Sequence, residues 1–238
     1  MSVRAERYLA EIGITVYKRR GFDAQVADAP GSPAGPASVA AIAAEPQPAV
    51  PSAEAWERLA AEVRVCTLCG LHKTRTQTVF GVGRRDAELL VIGEAPGADE
   101  DRQGEPFVGR AGQLLNAMLR AIGLPRSEVY IANILKCRPP GNRDPQPDEA
   151  RLCTPYLSRQ IALVNPLAVL AVGRIAAQWL LQTDAPIGRL RGRVFRYGES
   201  GTPLVVTYHP AYLLRSPLQK ATAWADLCMV KELLQRRA

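Results

Sequence analysis

Four short apolar runs, rich in Val, Ile and Leu, recur along the chain between residues 88 and 208. Runs of this length and composition, bounded by Gly, Pro and polar residues, predict buried strands. The four runs are 88–93, 129–134, 167–172 and 204–208. Each run precedes a longer segment with apolar residues three or four positions apart, which predicts a helix. These segments are 113–122, 148–163, 175–181 and 219–235.

The alternation of strands and helices decides the expected fold class. Such a chain forms right-handed crossovers, so its sheet is mostly parallel and is covered by helices on both faces. We therefore expect an α/β protein, a three-layer α/β/α sandwich with a central, mostly parallel four-stranded sheet. Folds of this kind bind ligands in the crevice at the carboxyl ends of their strands.

The first 52 residues differ in composition from the rest of the chain. Residues 24–52 consist largely of Ala, Pro, Gly and Ser, which predicts a flexible linker ahead of a domain at 53–238. Within residues 1–23, the segment RYLAEIGITVYKRR joins apolar residues to a basic cluster. It resembles the N-terminal peptide by which the psi subunit of the bacterial clamp loader binds its chi partner. This resemblance predicts that a replication or repair protein docks on residues 1–20, whereas the alternative is a frayed helix without a partner.

Composition and charge narrow the class of protein. The chain is 47% hydrophobic, has no apolar run near the ~18 residues of a membrane span, and lacks the N-terminal apolar stretch of a signal peptide. We expect a monomeric cytoplasmic protein that does not bind membranes. The formal net charge is +7, which favours a polyanionic partner such as DNA, although a basic surface without a partner is the alternative.

Four cysteines have the spacing of a metal centre. A C-x-x-C pair is followed by two distant cysteines, and four soft thiolates suit either an iron-sulfur cluster or structural zinc. A cytoplasmic compartment argues against disulfides. The four residues are Cys66, Cys69, Cys137 and Cys153. His72 is an alternative zinc ligand, and Cys228, in the last predicted helix, is expected to be an inert buried thiol.

Three polar residues stand where predicted strands end. Glu94 follows the first strand, Asn133 ends the second and His209 follows the fourth, so all three lie at one edge of the sheet. A side-chain amide can pair with N3–H and O4 of uracil, and a histidine can donate to an oxygen that gains negative charge. Phe107 can stack on a base. Taken singly, each residue is better explained as structural, but together they predict a pocket for a planar heterocycle.

Three long motifs carry a family resemblance. VIGEAPGADEDRQGEPFVGRAGQLL, ANILKCRPPGNRDPQPDE and YHPAYLLR, together with the cysteine spacing, closely resemble the family 4 uracil-DNA glycosylases over roughly residues 54–236. The resemblance implies a monofunctional enzyme that flips uracil out of DNA, hydrolyses its N-glycosidic bond and leaves an abasic site for base excision repair. It also implies a 4Fe-4S cluster on the four cysteines.

The resemblance assigns roles to residues of the pocket. Glu94 and the adjoining loop, including Ala95, would hold uracil and place a water; Asn133 would read the base edge and His209 would contact O2, while Phe107 stacks on the ring. In the classical uracil-DNA glycosylases this loop reads GQDPY, with an aspartate at the position that Ala95 fills here. The identity of a water-activating residue is therefore open, with Glu94 the first candidate and Glu100 the second.

The loop after the fourth strand contains candidates for DNA contact. Leu213 or Leu214 would fill the gap left by the flipped nucleotide and Arg215 would bind a phosphate, or else the leucines belong to the core. Further arginines are expected along the DNA path, namely Arg110, Arg138, Arg143, Arg189, Arg191 and Arg193. The chain lacks the KRRIH insertion of relatives that bond covalently to the abasic sugar, which favours hydrolysis. A DNA-binding module without catalysis is the alternative from another class.

Overall fold

A computed structural model describes residues 53–236, and its centre is a six-stranded sheet. The docking peptide and linker expected in residues 1–52 lie outside the described residues. The strands are β1 Val82–Gly83, β2 Leu89–Gly93, β3 Tyr130–Asn133, β4 Ala168–Val172, β5 Val194–Tyr197 and β6 Thr202–Thr207. Their order across the sheet is β1-β3-β2-β4-β6-β5. The four inner strands are parallel, and the two edge strands run antiparallel to their neighbours.

Helices cover both faces of the sheet. They are α1 Ala53–Arg64, α2 Ala98–Gln103, α3 Arg110–Ala121, α4 Pro147–Val164, α5 Arg174–Leu181, α6 Ile187–Leu190, α7 Pro210–Arg215 and α8 Lys220–Gln235. Alternate residues of β2 enter two separate cores, because successive side chains of a strand point to opposite faces. Leu90 and Ile92 pack with residues of α1, α4 and α5, whereas Leu89 and Val91 pack with α3 and α8. The expected three-layer α/β/α architecture is confirmed.

The expected count of four strands is corrected to six. The four predicted runs are the inner strands, which are buried on both faces and therefore continuously apolar. The edge strands lack that signal. β1 has two residues, and β5 alternates exposed and half-buried positions as part of a hairpin with β6. No helix between residues 53 and 236 has the length and hydropathy required to cross a membrane.

Candidate active site

One cleft of about 620 Å³ opens at the edge where β2, β3 and β6 end. The structure brings into its walls most of the residues that the sequence indicated. These are Glu94, Ala95, Glu100, Phe107, Asn133, His209 and Arg215. The loop after β3 forms part of the same cleft through Pro139, Asn142, Arg143 and Asp144. The crossover topology thus assembles one site from segments that lie more than 100 residues apart in the sequence.

Asn133 lies at the floor of the cleft with an unused acceptor. Its side chain is 2% exposed, and Oδ1 has no hydrogen-bond partner within the described part of the chain. A buried acceptor without a partner costs roughly 1–3 kcal/mol, so the arrangement favours a ligand that donates to it. Gly93 makes the space for this floor, because a β-carbon there would lie 2.6 Å from Phe107 Cζ and still closer to Asn133 Oδ1. The sequence did not single out Gly93.

Phe107 forms a wall of the cleft in a strained backbone conformation. Its φ of 54° is left-handed, which costs a residue other than glycine on the order of 1–3 kcal/mol. The buried ring lies with its centroid 5.7 Å from that of His209, at an interplanar angle of 31°. Gly112 in the first turn of α3 packs directly on the Phe107 carbonyl, where a β-carbon would collide with the oxygen. The loop therefore holds an aromatic face against the cleft.

Glu100 binds the backbone of the loop that carries Phe107. Its Oε2 accepts a hydrogen bond from Gly97 N at 3.1 Å. Its Oε1 accepts from Val108 N at 3.0 Å and Gly109 N at 3.2 Å. The carboxylate thus joins the beginning and the end of the loop. These contacts are those of a residue that positions the loop.

His209 is a neutral histidine with a defined tautomer. It precedes α7, and its Nδ1 accepts a hydrogen bond from Ala211 N at 3.1 Å. The pKa of His209 is lowered to about 4, mainly by burial and also by the positive charge of Arg215, while Glu100 acts in the opposite direction. Because Nδ1 accepts, the single ring proton is on Nε2 at neutral pH. His209 therefore presents one N–H donor.

The side chain of Glu94 has a pKa close to neutral pH. Burial is the main cause that raises the pKa of Glu94 to about 7, and the negative charge of Asp144 adds to it, while Arg174 acts in the opposite direction. Asp144 Oδ2 accepts from Arg174 Nη2 at 2.9 Å at the rim of the cleft. Neither Asp144 nor Arg174 was indicated by the sequence. Glu94 can exchange a proton at pH 7.

The candidates for DNA contact fall into two groups. Leu213 is 1% exposed and faces the core from α7, whereas Leu214 is 38% exposed and Arg215 is exposed at the cleft. Arg191, expected along the DNA path, is instead in a buried ion pair in which its Nε donates to Asp226 Oδ2 at 2.8 Å. Leu214 and Arg215 are therefore the exposed members of this group, and of the two Arg215 lines the cleft.

The four cysteines of the expected metal centre all line a second cavity, separate from the cleft. Arg75 Nη1 donates to Cys137 Sγ at 3.1 Å, and Lys136 N donates to Cys153 Sγ at 3.3 Å. His72 Nδ1 donates to the Cys69 carbonyl at 2.7 Å. Cys228 lies apart on α8. Among residues 53–236, no three His, Cys, Asp or Glu side chains are grouped as ligands of a single metal ion.

Comparison with known proteins connects this cleft to one family. The model of the uracil DNA glycosylase superfamily matches residues 80–228. A type-4 uracil-DNA glycosylase of Archaeoglobus fulgidus is 42% identical over 191 residues, which is 77% of this chain and 96% of the relative. Those of Saccharolobus solfataricus and Thermotoga maritima are each 42% identical, over 75% and 68% of this chain and 86% and 85% of the relative. Because the matched region contains every strand and loop that builds the cleft, the chain belongs to the uracil DNA glycosylase superfamily.

Proposed function

We propose that this protein is a monofunctional uracil-DNA glycosylase that starts base excision repair by releasing uracil from DNA. The observation that carries the proposal is the buried, unpartnered Oδ1 of Asn133 at the floor of the cleft. The amide offers this acceptor to uracil N3–H and its N–H to uracil O4. Cytosine presents an acceptor at N3 and an amino group at C4, so its edge mismatches the same amide.

The walls of the cleft suit a base that has been flipped out of the helix. Phe107 offers an aromatic face on which the ring stacks, and base–aromatic stacking contributes about 1–3 kcal/mol. His209 donates its Nε2 proton to O2 of the base. As the N-glycosidic bond lengthens, the sugar gains positive charge and uracil gains negative charge, which this hydrogen bond stabilises. Water then adds to C1′ of the sugar and gives up a proton, which Glu94 or the departing uracil anion accepts, and an abasic site remains.

A direct assay tests the proposed activity. The protein is incubated with single- and double-stranded DNA that carries one uracil, and abasic sites are then cleaved with alkali. We expect strand breaks at the uracil position and none in matched DNA that carries thymine or cytosine. A non-catalytic binding module would retain the uracil-containing DNA without any break, and that outcome would end the glycosylase proposal.

We assign to Glu94 the placement of the attacking water, and this role predicts a pH dependence. Since the pKa of Glu94 is about 7, its carboxylate form increases as the pH rises through 7. The single-turnover rate of excision should therefore rise severalfold between about pH 6 and pH 8. His209, with a pKa of about 4, stays neutral between pH 6 and pH 8, so it adds no second transition to the pH–rate profile.

Asp144→Asn provides the matched test of the pH profile. This change removes a negative neighbour of Glu94 and frees Arg174, so the pKa of Glu94 falls and the midpoint moves to lower pH. Asp148→Asn removes an exposed acid on α4 and should leave the profile unchanged. A flat profile in the wild type, together with full activity of Glu94→Gln, would exclude Glu94 as the group that positions the water.

We also propose that Leu214 and Arg215 contact the DNA. Leu214 would enter the gap in the base stack that the flipped nucleotide leaves, and Arg215 would bind a phosphate beside the cleft. Leu213 lies on the buried side of α7 and packs in the core, so it would support this helix. Glu100 is assigned the positioning of the loop, since both of its oxygens accept backbone hydrogen bonds.

The cysteine cavity fits the proposed 4Fe-4S cluster through its donor set. Its four soft sulfurs would be the ligands, and two N–H groups, from Arg75 and the Lys136 backbone, already point at them. When bound, the cluster would supply a cross-link between the segment after α1, the loop after β3 and α4. Lys136 also donates from Nζ to the Asn133 carbonyl at 2.8 Å, so this cross-link adjoins the floor of the active site.

Cys137→Ser is expected to prevent loading of the cluster. The variant should lose iron and the absorbance near about 400 nm, and its Tm should fall by on the order of 10 °C. Cys228→Ser is the matched control, because this thiol lies on α8 away from the other four, and it should retain full iron content. A colourless, zinc-loaded and fully active wild-type preparation would contradict the iron-sulfur assignment.

The segment before the domain is assigned a partner. We propose that residues 1–20 bind a replication or repair protein and that the enzyme acts as a cytoplasmic monomer. Deletion of residues 1–20 should remove at least one protein captured by the full chain while uracil excision persists. Identical capture by both chains would refute a docking role for this peptide.

A further inference from the structure

The backbone around Phe107 is bound from two sides by opposite charges. Glu100 accepts from the N–H groups of Val108 and Gly109, which follow Phe107. Arg126 binds the carbonyls on the other side: its Nη2 donates to Pro106 O at 2.7 Å and its Nη1 to Phe107 O at 3.3 Å. Four consecutive residues are thus fixed by one carboxylate and one guanidinium.

The conformation of Phe107 explains why such binding is required. Its φ of 54° is a state that residues other than glycine rarely adopt, so an unrestrained loop would relax toward negative φ. Relaxation would turn the Phe107 carbonyl away from Gly112 and move the ring relative to His209. A contact that holds the carbonyl in place therefore also holds the ring.

Arg126 is suited to this task by its location and its shape. It lies in the turn Arg126–Glu128 that follows α3, nineteen and twenty residues along the chain from the carbonyls that it binds. Its side chain is largely buried, and Nη1 also donates to Asn116 Oδ1 at 3.4 Å, which orients the guanidinium from α3. The two amino groups of the planar arginine fork each reach one carbonyl in a fixed geometry, whereas a lysine would offer both bonds from one freely rotating ammonium.

We propose that Arg126 is a positioning residue for uracil excision, which acts by fixing the Phe107 ring in the geometry that stacks on the flipped base. This inference rests on the proposed function, since it gives Phe107 the role of stacking platform. It requires that the effect of Arg126 on catalysis depend on the presence of the Phe107 ring. A residue that merely stabilises the fold would act independently of Phe107.

A double-mutant cycle measures that dependence. In the wild-type background, Arg126→Ala should lower kcat/KM for uracil excision by about 10- to 100-fold. Arg126→Lys should have a kcat/KM between those of the wild type and Arg126→Ala. In the Phe107→Ala background the same change should have less than about a twofold further effect. The loss of Tm caused by Arg126→Ala should be equal in both backgrounds. Arg120→Ala, on an exposed position of α3, is the matched control and should change neither quantity.

A spectroscopic readout decides the inference without reference to activity. The chain has two histidines, so the ring signals of His209 and His72 are readily resolved by NMR of histidine-labelled protein. His209 lies within the ring-current range of Phe107, whereas His72 lies at the cysteine cavity, so its signal, shifted by the proposed cluster, reports any change at that second site. Arg126→Ala should shift the His209 signal toward its position in Phe107→Ala and leave that of His72 unchanged.

The two readouts separate the inference from the proposed function. If the wild type excised no uracil, the proposed function would fail, and the His209 signal would still report whether Arg126 fixes the ring. An unmoved His209 signal in Arg126→Ala, or multiplicative effects of the two substitutions on kcat/KM, would overturn the role of Arg126.

Discussion

Replacing His209 with alanine is expected to lower the rate constant for uracil excision by about 100- to 1,000-fold, the usual effect of removing one donor from a developing anion. The structure explains the size of the effect. With a pKa of about 4, His209 is neutral at physiological pH, and its Nδ1 accepts from Ala211 N. Its one proton therefore lies on Nε2, and the cost of losing it appears mainly in kcat, because the charge on O2 develops in the transition state.

The test of His209 needs a control for its second role at the start of α7. Loss of the Nδ1 acceptor from this N-cap position also costs the helix about 0.5–2 kcal/mol. His209→Asn keeps a capping acceptor but is too short to reach the base, so it should retain the wild-type Tm and still lose activity. If single-turnover rates of both variants stayed within a few-fold of the wild type, stabilisation of the departing uracil by His209 would be refuted.

Two groups at the cleft bear on how uracil excision would be catalysed. His209 is neutral at pH 7, and Glu94 is about half ionised. Ala95 stands where the GQDPY loop of the classical uracil-DNA glycosylases has an aspartate, so the sequence indicated no obvious base at this position. Glu94 directly precedes Ala95 and lines the cleft, and burial is the main cause that raises its pKa to about 7. We propose that Glu94, with this pKa, orients a water and accepts its proton late, while neutral His209 stabilises the leaving group.

The inner part of the fold could be predicted from the sequence because it is buried on both faces. Such strands are continuously apolar, and β2 and β4 are buried throughout. β5 was not predicted, since its residues are half-buried or exposed and its pairing with β6 depends on a hairpin. The pattern of apolar residues in a sequence reflects burial, and edge strands bury too few side chains to produce a recognisable pattern.

The sequence predicted those residues of the site whose proximity follows from the strand topology alone. Asn133 and Glu94 end adjacent parallel strands, so their meeting at one edge follows from the strand pattern. The supporting residues were not predictable in that way. Gly93 contributes by the absence of a side chain, and Arg126 acts through carbonyls about twenty residues away. Such contributions depend on distances between segments, which composition and spacing do not report.

The two leucines of α7 illustrate a limit of motif reasoning. Leu213 and Leu214 are adjacent in sequence and both fit the description of a wedge residue. Successive residues of a helix point about 100° apart, so one faces the core and its neighbour faces solvent. The register of α7 is set by the His209 cap and by Pro210 at its first position. That register buries Leu213 and exposes Leu214.

Replacing Asn133 with leucine is expected to lower kcat/KM for uracil excision on the order of 1,000-fold. The volume is preserved, but N3–H and O4 of the base would then be buried without partners, at roughly 1–3 kcal/mol for each group. The variant should fold at least as well as the wild type, because the unpartnered Oδ1 is removed from the interior. Single-turnover rates and Tm measured on the same preparations separate the two effects. Activity within tenfold of the wild type would show that Asn133 does not read the base.

Asn133→Asp sharpens this test, because an aspartic acid changes its hydrogen-bonding character with pH. At a site 2% exposed, burial raises the pKa of the introduced carboxyl group. Its ionised form accepts from N3–H but repels O4, whereas its protonated form supplies one donor and one acceptor. The rate of uracil excision relative to the wild type should therefore recover as the pH falls. The protonated form can equally donate to N3 of cytosine and accept from its amino group, so cytosine release should appear under the same acidic conditions. A pH-independent ratio with no cytosine release would mean that the amide of Asn133 does not contact the edge of the base.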